Sequence, residues 1–292
     1  MSAAQAASTA SAGSGGPPAG GQSGLLPLGL IAGSGRFPLL FAQAAKRAGR
    51  TVIAAAHEGE TDPVLEQHVS KLGWVKLGQL GRIAALLRDE GCVEAVLCGG
   101  IRKVKLFDVR PDWLALKVLA RLRSFGDDAA LRVIADVFEG AGVRIVSPLP
   151  LLPELLAPRG PLGKRSLTEA QRADAEVGMQ VARAIGSLDL GQTVVVKRGV
   201  VLAVEAVEGT DACIARGGLL ARGGGHGPVV VKVRKPQQDE RFDLPAVGPQ
   251  TVAALAQAGC SALALEAGRT LVLDREELSA AADRAGIAIE GI

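Results

Sequence analysis

Four carboxylates and two ammonium groups stand where they could act on a phosphate. Glu205, Glu208, Asp211 and Asp243 lie at or beside the ends of apolar runs in the last third of the chain, with Lys232 and Lys235 close by. Carboxylates hold a hard divalent ion, and ion and lysine together offset the charge on a phosphoryl group in transfer. Magnesium usually takes one or two protein carboxylates and completes its shell with phosphate oxygens and water. The densest stretch is residues 201–211, VLAVEAVEGTD. An apolar run ends there in Glu208, Gly209, Thr210 and Asp211. This is a tight turn in which Thr210 or Asp211 caps a following helix, whose N–H groups face an anion. The plain alternative is a strand, an acidic turn and a capped helix with no chemistry.

Other chemistries find less support. Cys92, Cys98, Cys213 and Cys260 are scattered through apolar segments without a C-x-x-C pair, which argues against a zinc ribbon or a disulfide framework and for buried, reduced thiols. His57, His68 and His226 are isolated, so a histidine zinc site is not expected. Aromatic residues are 3% of the chain and Tyr is absent, which leaves little to stack on bases. A net charge of +3 on 33 basic and 30 acidic residues gives no footprint for DNA or RNA. No nucleic-acid partner is expected.

The elements that must position these groups form two halves. Residues 1–24 are Ala, Ser, Gly, Gln and Pro, without the charged start and apolar middle of a signal peptide, and read as a disordered extension. Residues 25–150 read as a Rossmann-like domain. A strand at 28–32 leads through Gly33-Ser34-Gly35 to a helix at 39–49 and a strand at 51–56. The dinucleotide fingerprint starts at Gly33 and Gly35 but meets Pro38 where its third glycine belongs. Ala32 likewise stands where G-x-S-x-G needs glycine before Ser34. What remains is a glycine loop that brings backbone N–H groups close to a phosphate or another polar ligand.

Further strands are expected at 95–98, ending in Gly99-Gly100 beside Arg102, Lys103 and Lys105, and at 143–146. Helices are expected at 80–90, at 111–123 with a basic face, and after Gly126-Asp127-Asp128. The 111–123 helix either packs on the core with a solvated back or touches a membrane surface.

Prolines at 148, 150, 153, 158 and 161 mark a linker over 151–165. Its Gly163-Lys164 is no P-loop, because Arg165 and Pro158 replace required residues. Residues 166–292 read as a smaller mixed-sheet α/β domain. It holds a helix at 168–185, a hairpin across Arg198-Gly199, a mobile glycine loop at 223–227, and a strand at 229–233 carrying Lys232. A helix at 251–259, strands at 262–266 and 271–274, and a helix at 275–286 complete it. The fold class expected is α/β, two domains with a cleft between them.

With both halves laid out, the sequence resembles the LpxI-type UDP-2,3-diacylglucosamine pyrophosphatases of lipid A biosynthesis. The resemblance is carried by LDLGQ (188–192), LAVEAVEGTD (202–211), KPQQDERFDLP (235–245) and EAG (266–268). GLIAGSG (29–35), Gly99-Gly100 and Gly126-Asp127-Asp128 add to it. It implies magnesium-dependent hydrolysis of a lipid-linked UDP-sugar, giving UMP and 2,3-diacylglucosamine 1-phosphate, with water attacking the sugar-side phosphorus. It implies a cytoplasmic enzyme and leaves open a transient contact with the inner-membrane surface and a homodimer. The essential aspartate of the family falls on Asp243, which would hold magnesium, accept the water proton, or both. A carboxylate of ordinary pKa is a weak base at pH 7, which favours ion binding. Asp211 and Glu208 follow as catalytic candidates, with Asp211 the second metal ligand. Gly33, Gly35, Gly99, Gly100, Gly126, Asp127, Gln192, Gly209, Thr210 and Lys232 are the implied substrate contacts. A non-catalytic two-domain protein that binds a nucleotide sugar or lipid is the alternative.

Overall fold

The computed structural model describes residues 25–100, 111–121, 127–221, 223–242 and 244–292, the side chains of 119–121 and 127–130 excepted. Its first half is a five-stranded parallel sheet in the order β3-β2-β1-β4-β5. The strands are β1 (Leu28–Ala32), β2 (Val52–His57), β3 (Lys71–Val75), β4 (Glu94–Cys98) and β5 (Arg144–Ile145). β1 and β2 are buried along their whole length, as parallel strands covered on both faces must be. Helices α1 (Phe37–Arg47), α2 (Leu80–Asp89), α3 (Trp113–Arg121) and α4 (Asp127–Gly140) connect them. Pro38 sits in the first turn of α1, where its missing N–H costs nothing. The strand order turns at β1 and β4, so the loops after those strands open on the crevice where α/β sheets take ligands.

The second half is a six-stranded mixed sheet, β6-β13-β11-β9-β7-β8. Its strands are β6 (Gly160–Pro161), β7 (Thr193–Lys197), β8 (Val200–Val204), β9 (Val229–Lys232), β11 (Ala262–Leu265) and β13 (Ala288–Gly291). A parallel pair, β10 (Ala246–Val247) and β12 (Leu271–Val272), lies apart from it. Four helices pack on this half: α5 (Glu169–Ser187), α6 (Thr210–Leu220), α7 (Pro249–Gln257) and α8 (Arg275–Ala285). α5 starts at a capping box between Thr168 and Gln171 and buries 171, 174, 175, 178, 179 and 182, the stripe a 3.6-residue period places on one face. Gly178 lets α5 sit down on β9, because a Cβ there would lie 2.3 Å from Val231 Cγ2.

Three expectations change. The sequence reading stops at the helix ending near 286, whereas β13 follows it; four residues buried on both sides carry no alternation to betray them. The glycine loop at 223–227 is tied down rather than mobile. Lys197 Nζ donates to Gly223 O (3.0 Å), Arg198 Nη2 to Gly224 O (2.7 Å), and His226 Nε2 lies 2.9 Å from Asp174 Oδ2. The connecting segment is built into both cores, with Leu152 buried in the first half and Ala157 and Leu162 in the second.

Candidate functional site

The loops after β1 and β4 cross at the open end of the first sheet. Gly33 N donates to Cys98 O (2.8 Å), Ser34 N and Oγ donate to Gly100 O (2.7 and 2.8 Å), and Gly100 N donates to Ser34 O (3.3 Å). The crossing is backbone against backbone. A Cβ on Gly33 would lie 2.4 Å from Gly100 O, and one on Gly99 2.4 Å from Ser34 O. Gly33 and Gly99 are therefore glycines because the loops touch, whereas a Cβ on Gly35 would meet nothing within 4 Å. Beneath the crossing, Ala32 O accepts from His57 Nδ1 (2.9 Å) and Thr61 Oγ1 (2.7 Å). Burial lowers the His57 pKa, against the opposing pull of Ala32 O and Glu60, so its ring is neutral at pH 7.

At the facing edge of the second sheet, β7, β8, β9 and α6 bring Thr193, Glu205, Lys232 and Thr210 together. Lys232 Nζ donates to Thr210 Oγ1 (3.1 Å), which donates to Glu205 Oε1 (2.9 Å); Gln192 N donates to Glu205 Oε2 (3.2 Å). Glu205, Lys232 and Thr193 are buried. The expected helix cap falls elsewhere. Gly209, at φ 83°, is the N-cap of α6 and has no side chain, while Thr210 turns to the ammonium and the carboxylate. Gln192 Oε1 is buried without a hydrogen-bond partner among the described residues. Lys232 Nζ also donates to Ala246 O (3.1 Å), which fixes the chain entering β10.

Between the two edges runs a cleft. One part, about 240 Å³, is lined by Gly35, Gly99 and Gly100 from the first half and by Phe242, Leu244 and Leu273 from the second. A second part, about 450 Å³, shares Gly35, Arg36, Ala246 and Leu273 with it and is walled by the first turns of α7 and α8. Arg36 crosses the cleft to Asp274 (Nη2–Oδ1 3.0 Å). The starts of α7 and α8 and the Arg36 guanidinium face this wall together with the Asp274 and Glu277 carboxylates, so its charge is mixed.

The acids fare unequally. Glu208 pairs with Arg216 and accepts from Ala206 N (3.2 Å); its own backbone N–H and Arg216 hold its carboxyl below the usual range. Asp211 is exposed and lines a groove of about 540 Å³ between α6 and α7, outside the cleft linings. Gln250 lines both that groove and the cleft. Lys235 pairs with Asp189 (2.7 Å). Asp243 and Gly126 lie outside the described residues, as do Arg102, Lys103 and Lys105, and the side chain of Asp127 is likewise not described. Among the described residues no three His, Cys, Asp or Glu side chains converge as a ready metal cage. Magnesium bound with a diphosphate needs less, one or two carboxylates beside the phosphate oxygens; among the described acids Glu205 and Glu208 are already paired and Asp211 lies outside the cleft linings.

Two family models divide the chain between them. The LpxI N-terminal domain matches residues 27–155 and the LpxI C-terminal domain residues 158–290. The chain belongs to the LpxI family. UDP-2,3-diacylglucosamine pyrophosphatase LpxI of Caulobacter vibrioides is 39% identical over 273 residues, covering 91% of this chain and 97% of that protein. Among solved structures, the biotin carboxylase domain of a thermophilic 2-oxoglutarate carboxylase bound to ADP aligns at a TM-score of 0.28. It is 14% identical over 59% of this chain, which spans 35% of that structure's length. The biotin carboxylase subunit of pyruvate carboxylase aligns at 0.26, with 15% identity over 71% of this chain and 38% of that one. Neither likeness bears on the argument.

In this LpxI-family chain the structure brings Gly35, Gly99 and Gly100 to the cleft, and Thr210, Lys232 and Gln192 to the opposing edge. Glu205, expected among the acids for an ion and a phosphate, instead anchors Thr210 and Gln192, and the role of Phe242 escapes the sequence. Glu205 gave a signal, an acid closing an apolar run at 200–204. Phe242 gave none, since one aromatic in a charged loop looks like surface.

Proposed function

We propose that this chain is a UDP-2,3-diacylglucosamine diphosphatase that releases UMP and 2,3-diacylglucosamine 1-phosphate with magnesium as its cofactor. The observation that carries the reading is the 39% identity over nearly the whole length of a relative bearing that name. The cleft supports it. Gly35 leaves open space where a diphosphate can approach the backbone, the start of α7 faces that space, and Leu244 and Leu273 offer apolar wall. Magnesium, when bound, neutralises the phosphate oxygens. Asp243 is assigned the ion or the proton of the attacking water; Asp211, expected as a second carboxylate, faces the α6–α7 groove instead and is assigned no part in the step. Buried Glu205 and Lys232, joined through half-buried Thr210, stiffen the edge and hold Ala246 in place.

Incubation with the lipid nucleotide should release UMP with magnesium and not with a chelator, and Asp243→Asn should lower turnover by about 10³-fold or more while binding persists. Unchanged turnover by Asp243→Asn would remove that residue from the chemistry. Binding without UMP release would return the protein to a non-catalytic carrier.

No helix among the described residues is long and apolar enough to cross a membrane. We place the protein in the cytoplasm, meeting its lipid at the inner-membrane surface. Trp113 and Leu116 stand exposed on α3 with Lys117 beside the indole (5.8 Å). Co-sedimentation with anionic vesicles that Trp113→Ala does not weaken would rule that face out.

A further inference from the structure

The segment from Lys235 to Leu244 belongs by sequence to the second half, yet its aromatic ring packs in the first. Phe242 joins the apolar cluster under α2 and α4, whose other members all lie between Ile31 and Ile145. The turn that delivers it is firmly built. Phe242 N donates to Asp239 O (3.1 Å), Asp239 grips the Arg241 guanidinium through Nε (3.0 Å) and Nη2 (2.7 Å), and that guanidinium lies 4.8 Å from the ring centre of Phe242. From the other side, α4 reaches over with Arg132 Nη2, which donates to Gln237 O (2.9 Å). A few residues later the chain is back in the second half. Pro245 O accepts from Leu271 N (2.7 Å) and Ala246 O from Lys232 Nζ (3.1 Å). Phe242 and Leu244 both line the cleft opposite Gly35 and Gly100.

We propose that Phe242 is a positioning residue: its ring keys the 235–245 segment into the first half and thereby sets the spacing across the cleft on which turnover depends. This rests on the diphosphatase reading. The ring is half-buried against this apolar cluster, so Leu can largely keep the contact and Ala cannot. Small misplacements of reacting groups cost turnover more than binding, about 10²-fold for roughly 1 Å.

The test pairs kinetics with a distance. Phe242→Ala should lower kcat for UMP release by about 10- to 100-fold with a smaller change in KM, and Phe242→Leu should stay within about threefold of the parent protein. For the distance, spin labels go on cysteines introduced at exposed Glu66 and Glu276; the four native cysteines are buried and free. Phe242→Ala should broaden and shift the distribution between the halves, and Phe242→Leu should restore it. An unchanged distribution in Phe242→Ala overturns the proposal, whether kcat holds or falls, since a fall would then be a local effect at the substrate. Should the alanine variant not fold, Phe242→Val takes its place under the same criteria. If the parent protein releases no UMP, the diphosphatase reading fails by itself, and the distance arm still decides whether the ring holds the halves together.

Discussion

Gly99→Ala and Gly35→Ala form a matched pair. Both glycines have left-handed φ values, +87° and +86°. Forcing an L-residue there costs about 1–2 kcal/mol, of which about 0.4–1 kcal/mol returns because alanine restricts the unfolded chain. That part is common to the two variants. They differ in space. At Gly99 the new Cβ would lie 2.4 Å from Ser34 O, 3.0 Å from Gly33 C and 3.1 Å from Pro38 Cγ; at Gly35 it would meet nothing within 4 Å. The obstructing atoms at Gly99 are mostly backbone, held by the paired hydrogen bonds between Ser34 and Gly100, so they do not simply swing aside. Overpacking of this kind costs about 1–3 kcal/mol. Gly99→Ala should therefore be less stable than Gly35→Ala by about 1–3 kcal/mol, which for a half of this size is about 3–15 °C in melting temperature. Thermal and urea unfolding of the full chain, followed by circular dichroism, measures the difference. Melting of the two variants within about 2 °C of each other would show that the loops do not cross as described.

Three further outcomes follow from the same geometry. Lys232→Met strips a donor from Thr210 Oγ1 and Ala246 O beside buried Glu205, and should cost about 2–4 kcal/mol in urea unfolding. The double variant with Glu205→Gln should cost clearly less than the sum of the singles, and strict additivity would deny the network. For Asp174, burial pushes the carboxyl pKa up, but His226 and the N–H groups of Gly199 and Arg198 outweigh it and leave the pKa lowered. The stability it contributes is present above the ordinary carboxylate pKa of about 4 and fades as pH falls through the lowered folded value. The stability gap between the parent protein and Asp174→Asn should thus be full at neutral pH and shrink in acid; a gap that stays constant from neutral pH to the end of the acid range refutes this. Arg36→Ala should change stability by less than about 0.5 kcal/mol, since Arg36 is 62% exposed in its pair with Asp274 and water screens the interaction. A larger loss would mean that the pair does more than span the cleft mouth.

The fold was legible wherever hydrophobic period and turn chemistry agreed. β1, its glycine loop and α1 read directly, and the Arg198-Gly199 hairpin did so because both residues take positive φ, the conformation a two-residue turn needs. β12 falls within the strand expected at 271–274, whereas β13 and the two-residue β10 were not legible, since strands this short carry no alternation to read. At the site, spacing drew attention to Glu205, Glu208 and Asp211 but could not say which way each would face. The turn at Gly209 sends Thr210 inward to Glu205, leaves Glu208 to Arg216, and turns Asp211 toward the α6–α7 groove. Lone-residue spacing likewise hid the link between His226 and Asp174, which are 52 positions apart in the chain.

The connector between the halves bears on how they can part. Leu152 is locked into one core and Ala157 into the other, and the chain between these two fixed points, fully stretched, covers only about 17 Å. On this side the two cores can therefore separate by no more than the strap allows, and any widening of the cleft has to come from the mouth near Arg36 and Asp274.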